Sequence, residues 1–180
     1  MSIITQLLVL GMLDIRPMSG YDIQMMLQEN DVERWSGVLV GSIYHALKKL
    51  EKDKYIEIER MEQTGFRQKA IYKITDKGQS YLQDLIFKTI KTSTIPYPTA
   101  LYSGLSFIDK LPTEKSREAL EQQLQKLFNE LESLEIGLEE KKKYLDGELP
   151  AMIQLVSNNM IKIVKQQITL VEDILKLFDE

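Results

Sequence analysis

Between residues 120 and 145 leucine recurs at alternating steps of four and three: Leu120, Leu124, Leu127, Leu131, Leu134, Leu138 and, past Lys141, Leu145. Such a repeat averages 3.5 residues, so on an α-helix these side chains fall along one seam that packs against another helix. A helix to meet it follows in the chain. Gly147 and Pro150 mark a turn, and Leu149–Phe178 carries Met152, Val156, Met160, Ile163, Val171, Ile174 and Phe178 at helical spacing. Two long helices joined by a short turn make an antiparallel pair. The pair leaves apolar surface that one chain can hardly cover, and a two-fold copy would cover it. The chain is therefore expected to be a homodimer. Its dimerisation residues are expected to be Leu120, Leu124, Leu127, Leu131, Leu134, Leu138, Met152, Val156, Met160 and Ile163.

The N-terminal half has a different pattern. Ile3–Asp14 repeats apolar residues at helical spacing (Ile3, Ile4, Leu7, Leu8, Leu10) and stops before Pro17. Ser19-Gly20-Tyr21-Asp22 reads as a capping box opening a second helix with Ile23, Met26 and Leu27 inward. A third helix starts at Gly41-Ser42, with Ile43, Ala46, Leu47 and Leu50 on one face. The opposite face holds His45, Lys48, Lys49 and Lys52, with Tyr44 on the flank. The period then switches from 3.6 to 2. Tyr55-Ile56-Glu57-Ile58-Glu59 and Ala70-Ile71-Tyr72-Lys73-Ile74 read as strands, and Met61–Lys69, containing Gly65, as a hairpin with a basic tip. Thr75-Asp76 caps a further helix. Three helices, a hairpin and a helix are the order of a winged helix-turn-helix. Thr92–Pro98, with two prolines, breaks the pattern, a short apolar segment (Ala100–Ile108) follows, and Thr113 is expected to cap the leucine helix. The fold class expected is mainly α with a small β-hairpin wing. The division expected is a winged helix-turn-helix at 1–91, a joint and short helix at 92–112, and a helical dimerisation domain at 113–180.

Composition excludes several classes. There is no cysteine, so no disulfide, thiolate metal site or cysteine nucleophile. The single histidine, His45, cannot make a metal site alone, so no cofactor or metal is expected. Neither a glycine-rich phosphate loop nor a Ser–His–Asp set is found, so an enzyme is not expected. No apolar run reaches the roughly 20 residues of a membrane span. The apolar Ile3–Leu13 lacks a basic leader and a cleavage site, so the expected address is cytoplasmic. A net charge of −4 argues against a non-specific nucleic-acid coat. Yet Ser42–Ser80 holds nine basic side chains against six acidic ones, so the negative excess lies elsewhere.

Three motifs carry a resemblance. Gly20-Tyr21-Asp22-Ile23, Gly41-Ser42-Ile43-Tyr44-His45-Ala46-Leu47-Lys48-Lys49-Leu50-Glu51 and Tyr72-Lys73-Ile74-Thr75-Asp76-Lys77-Gly78 stand in order and at the spacing of the PadR family of regulators. Trp35 also falls where that family often has tryptophan. The chain resembles its longer members, strongly over about 80 residues and architecturally beyond. The resemblance implies a transcriptional regulator that binds double-stranded operator DNA and can respond to a small aromatic effector; a repressor is expected, and dimer symmetry predicts an inverted-repeat operator. Two departures stand out. His45 replaces the usual proline of the recognition helix, and Gly65-Phe66-Arg67-Gln68-Lys69 lacks the usual proline of the wing. DNA binding carries over from the family, but the operator sequence does not.

Phosphate contacts supply affinity and base edges supply specificity, so a recognition helix needs a polar or basic face. The DNA-facing residues expected are Ser19, Tyr21, Ser42, Tyr44, His45, Lys48, Lys49, Arg67 and Lys69. Ser42 would offer a hydroxyl and free amides at a helix start. The resemblance implies a phosphate contact for Tyr44. Arg67 and Lys69 would sit at the wing tip and reach a minor groove or flanking backbone. Each has a plainer alternative: a solvated lysine face, a solubilising turn, or a Tyr21 that staples its helix. Tyr72 is expected to pack beneath the wing. Trp35 reads as a core plug or as a lid on a planar ligand, and Tyr97, Tyr102 and Phe107 near the joint as effector-pocket residues. A rival reading keeps the winged helix for protein contacts, since Glu57 and Glu59 make the first strand acidic.

Overall fold

The computed structural model describes residues 2–64, 67–145 and 147–178, without the side chains of Thr64 and Arg67. The chain divides into two compact units, with the boundary between Pro96 and Tyr97.

In the first unit, α1 (Ile3–Ile15) starts after Ser2, whose hydroxyl accepts from the Ile4 amide at 3.2 Å. A two-residue strand, β1 (Met18–Ser19), leads into α2 (Gly20–Glu29). The capping box at its start is complete, with Ser19 and Asp22 each bonding the other's backbone. A short helix that the pattern does not reveal, α3 (Val32–Ser36), follows a left-handed Asp31 at φ 51°. A 3-10 turn at Val40–Ser42 feeds α4 (Ile43–Lys52). The hairpin β2 (Ile56–Thr64) and β3 (Arg67–Ile74) comes next, and α5 (Asp76–Lys91), capped by Thr75, closes the unit.

The core gathers Val9, Leu10, Ile23, Ile43, Leu50, Ile56 and Leu85. The buried arc of α1 is wider than its spacing predicts: Thr5 and Gln6 are buried, while Ile3, Ile4, Leu7 and Leu8 are half-buried. The reason is that α1 is packed by α4, α5 and β3 rather than by one neighbour. Its enclosed polar groups have partners. Thr5 Oγ1 lies 3.5 Å from Ser42 Oγ, and Gln6 Oε1 accepts from the Tyr81 hydroxyl at 3.4 Å.

The sheet runs β1-β3-β2, antiparallel throughout. Both hairpin strands are longer than expected, because Met61–Thr64 and Arg67–Lys69 belong to the ladder. The tip, Gly65 and Phe66, lies outside the described residues. The register slips between Ile58 and Arg60, a bulge that leaves Glu59 unmatched. Period-2 alternation places Ile58 inward with Ile56. Instead Ile56 is buried and Ile58 is exposed, because only the root of the hairpin lies on the helical core.

In the second unit, α6 (Thr99–Leu105) and a 3-10 turn at Ile108–Lys110 precede α7 (Thr113–Tyr144) and α8 (Ala151–Lys176). Thr113 is the first residue of α7 rather than its cap; Pro112 holds the cap position. Gly147, at φ 92°, makes the turn that returns the chain, a conformation favouring glycine. Leu120 and Leu138 of α7 and Ile168 and Val171 of α8 are buried between the pair.

Candidate nucleic-acid interface

The site is built on α4. Ile43, Ala46, Leu47 and Leu50 are buried, which turns His45, Lys48, Lys49 and Lys52 to solvent, as their spacing predicts. Tyr44 lies 47% exposed on the flank. Its ring is held by the start of α2: a Cβ at Gly20 would stand 2.8 Å from Tyr44 Cε1 and 2.9 Å from Leu47 Cδ1. Glycine there lets the two helices of the motif approach. Tyr21, the next residue, is 59% exposed.

Two serines differ from expectation. Ser19 is buried, its hydroxyl donating to Asp22 Oδ2 at 2.7 Å and accepting from the Asp22 amide at 3.2 Å. It is therefore a helix cap rather than an open DNA contact. Ser42 donates to the Leu39 carbonyl from both its hydroxyl (2.7 Å) and its amide (2.9 Å). The 3-10 turn before α4 thus occupies the donors that a free helix start would offer. What Ser42 presents is a partnered hydroxyl, half-buried.

The wing departs further. Lys69 is not at the tip but in the third position of β3, its Nζ 3.0 Å from each carboxylate oxygen of Asp22. Arg60 pairs with Glu59 and Glu62, and Lys73 with Glu57 at 3.2 Å. Arg60, Lys69 and Lys73 of the hairpin are thus all engaged by carboxylates. Arg67 pairs with Thr64 through the backbone, and its side chain lies outside the described residues. Burial alone would raise the Asp22 carboxyl. The Ser19 hydroxyl, Lys69 and the Ser19 amide outweigh it and hold the group below its ordinary 3.8. Tyr72 packs against the core, as expected, and burial with Glu51 nearby raises its phenol above its ordinary value.

Trp35 is not a core plug. It is 50% exposed, its Nε1 donating to the Asn30 carbonyl at 2.9 Å, and Val32 fills the interior position of α3. In the second unit, an open cleft of about 620 Å³ is lined by Tyr97, Leu101, Leu105, Ile108, Leu111 and Leu120, with Ser116 and Gln123 as polar members. Of the expected effector residues Tyr97 alone among Tyr97, Tyr102 and Phe107 lines this cleft. Tyr102 leans on Tyr97, ring centroids 6.3 Å apart, and Phe107 is 67% exposed outside it. The 4–3 spacing of Leu101, Leu105 and Ile108 is the signal that would have found the lining.

The expected dimerisation residues separate into two groups. Leu120 and Leu138 are buried within the chain, and Leu124, Leu127, Leu131, Leu134 and Met160 are half-buried. The leucine seam is thus only partly buried by α8 of the same chain. Met152, Val156 and Ile163 are exposed, and Leu155, at 65% exposure, joins them on α8. Among the described residues no cluster of His, Asp and Glu could hold a metal ion, and no helix is long and apolar enough to cross a membrane.

Known proteins share this arrangement. The profile of the transcriptional regulator PadR-like family matches residues 9–84. The negative transcriptional regulator PadR of Bacillus subtilis (strain 168) is 30% identical over 129 residues, which cover 71% of this chain and 69% of that protein. The crystal structure of Bacillus subtilis PadR in complex with operator DNA superposes with a TM-score of 0.76 at 26% identity, covering 97% of this chain and 99% of the other. The same regulator in complex with p-coumaric acid gives 0.74 at 25% identity, covering 97% and 95%. With these motifs on these elements, the chain belongs to the PadR-like family of transcriptional regulators.

Proposed function

We propose that this chain is a cytoplasmic, homodimeric repressor, not an enzyme, that binds an inverted-repeat operator through its first unit and releases it in response to a small aromatic effector. The observation that carries the reading is the outer face of α4. His45, Lys48 and Lys49 are exposed beside Tyr44 and Tyr21, on a fold similar to one crystallised with operator DNA. In a two-fold dimer, half-sites would lie about one helical turn or a multiple of it apart. Dimerisation is assigned to the second unit, whose exposed apolar stripe on α8 supports it. The effector is assigned to the cleft beside Tyr97, whose size and apolar lining suit a flat aromatic molecule.

The test is a titration of the full chain against DNA from its own promoter region, at two salt concentrations, with unrelated DNA as competitor. Specific retention at nanomolar protein that weakens with salt is the expected result. Lys48→Ala and Lys49→Ala are each expected to flatten the dependence of log affinity on log salt by about one. Retention indifferent to sequence and to salt would overturn the reading and favour a protein-binding module. For the effector, p-coumaric acid is expected to release the DNA, and Leu101→Trp, which fills the cleft, to abolish release while leaving operator affinity unchanged. Release that persists in that variant would remove the cleft from the mechanism.

A further inference from the structure

The Asp22–Lys69 pair joins two parts of the molecule that the DNA-binding reading treats separately. Lys69 Nζ sits 3.0 Å from both Oδ1 and Oδ2 of Asp22, with the two side chains 31% and 36% exposed. The same carboxylate accepts from the Ser19 amide at 3.1 Å and from its hydroxyl at 2.7 Å, so it is oriented by the α2 cap before Lys69 arrives. Along the sheet, β1 reaches β3 only at Ile71 and Tyr72. Lys69 lies two residues nearer the tip, where β3 is laddered to β2 through Glu62. The pair therefore grips the hairpin beyond the end of the β1 ladder and ties it to the helix whose glycine seats Tyr44.

We infer that Asp22 and Lys69 form a strut that sets the angle of the wing relative to α2 and α4, which makes Asp22 a positioning residue for DNA binding and takes Lys69 out of the phosphate contacts. To reach a phosphate, Lys69 would have to leave an oriented carboxylate that binds it through both oxygens. The inference rests on the proposed DNA binding, and a readout without DNA keeps the two separable.

The experiment compares the full chain with Asp22→Asn, Lys69→Gln and the double variant. It measures affinity for promoter DNA across a salt series, and amide hydrogen exchange of Gln68–Ala70 without DNA. Lys69→Gln leaves the cap intact, so it reports even if Asp22→Asn disturbs α2. Each single variant is expected to lose about tenfold in specific affinity, and the double no more than either, as groups acting as one unit do. The salt slope of Lys69→Gln should equal that of the parent, exchange in β3 should quicken in every variant, and Lys69→Arg should restore both affinity and protection. If Lys69 is instead a phosphate contact, Lys69→Gln flattens the slope by about one and Asp22→Asn tightens binding by freeing it; that outcome overturns the strut. Unchanged exchange in Lys69→Gln overturns it as well. If the parent shows no preference for the promoter, the functional reading falls, and exchange alone decides the strut.

Discussion

At the scale of single residues, two motif glycines are explained by what a methyl group would strike. A Cβ at Gly78 would lie 2.0 Å from the Tyr55 carbonyl oxygen, which also accepts the Thr75 amide at 3.1 Å. Backbone cannot step aside as a side chain can, so Gly78→Ala is expected to cost more than about 4 kcal/mol, read by urea unfolding. Gly20→Ala meets the Tyr44 and Leu47 side chains instead and is expected to cost about 1–3 kcal/mol, with operator affinity falling because Tyr44 is displaced. Asp22 sets a pH dependence. Its folded-state value lies below 3.8, so the unfolded chain binds the proton more readily. The stabilisation is complete above the ordinary value and is lost as pH falls through the depressed one. The stability difference between the parent and Asp22→Asn should therefore shrink on acidification below pH 3.8, and a constant difference would count against the ion pair.

At the scale of elements, the same kind of helix serves two purposes. In α4 the apolar side is consumed by the core of the first unit and the basic side is left for a ligand. In α7 the leucine seam is buried at Leu120 and Leu138 and half-buried between them, while α8 keeps an exposed apolar stripe at Met152, Leu155, Val156 and Ile163. Leu120 is 3% exposed between the two helices and beside the cleft. Leu120→Ala is expected to destabilise the second unit by about 2–5 kcal/mol, measured by chemical denaturation. A change below about 1 kcal/mol would mean that the pair is held chiefly by something other than the seam.

At the scale of the whole molecule, a net charge of −4 coexists with an exposed basic face because the acidic excess lies outside Ser42–Ser80. Long-range repulsion from DNA is screened within about 8 Å at physiological salt, so local cations decide the contact. The exposed stripe on α8 belongs to the same scale, since the proposed dimer would cover it with a second copy. Replacing Val156 and Ile163 together with Asp is expected to give a folded monomer by analytical ultracentrifugation. Operator affinity should fall with it, because two half-sites no longer engage one particle. A dimer that survives both substitutions would move the interface elsewhere.

The elements were legible from residue pattern because their causes are local. The Ser19–Asp22 box, the inward face of α4, the Thr75 cap and the turn at Gly147 each depend on neighbours within a few positions. The motifs likewise carried the family. What depends on residues far apart could not be read that way. Lys69 finds its partner 47 positions away, and period-2 alternation has no term for a carboxylate oriented by a helix cap. Trp35 is turned outward by a short helix after a left-handed Asp31, and Ile58 lies past the end of the covering core. A heptad states that a helix must be met but not which helix meets it. Only tertiary packing decided that α7 is met by α8 of its own chain, burying Leu120 and Leu138 and leaving Met152, Leu155, Val156 and Ile163 of α8 exposed.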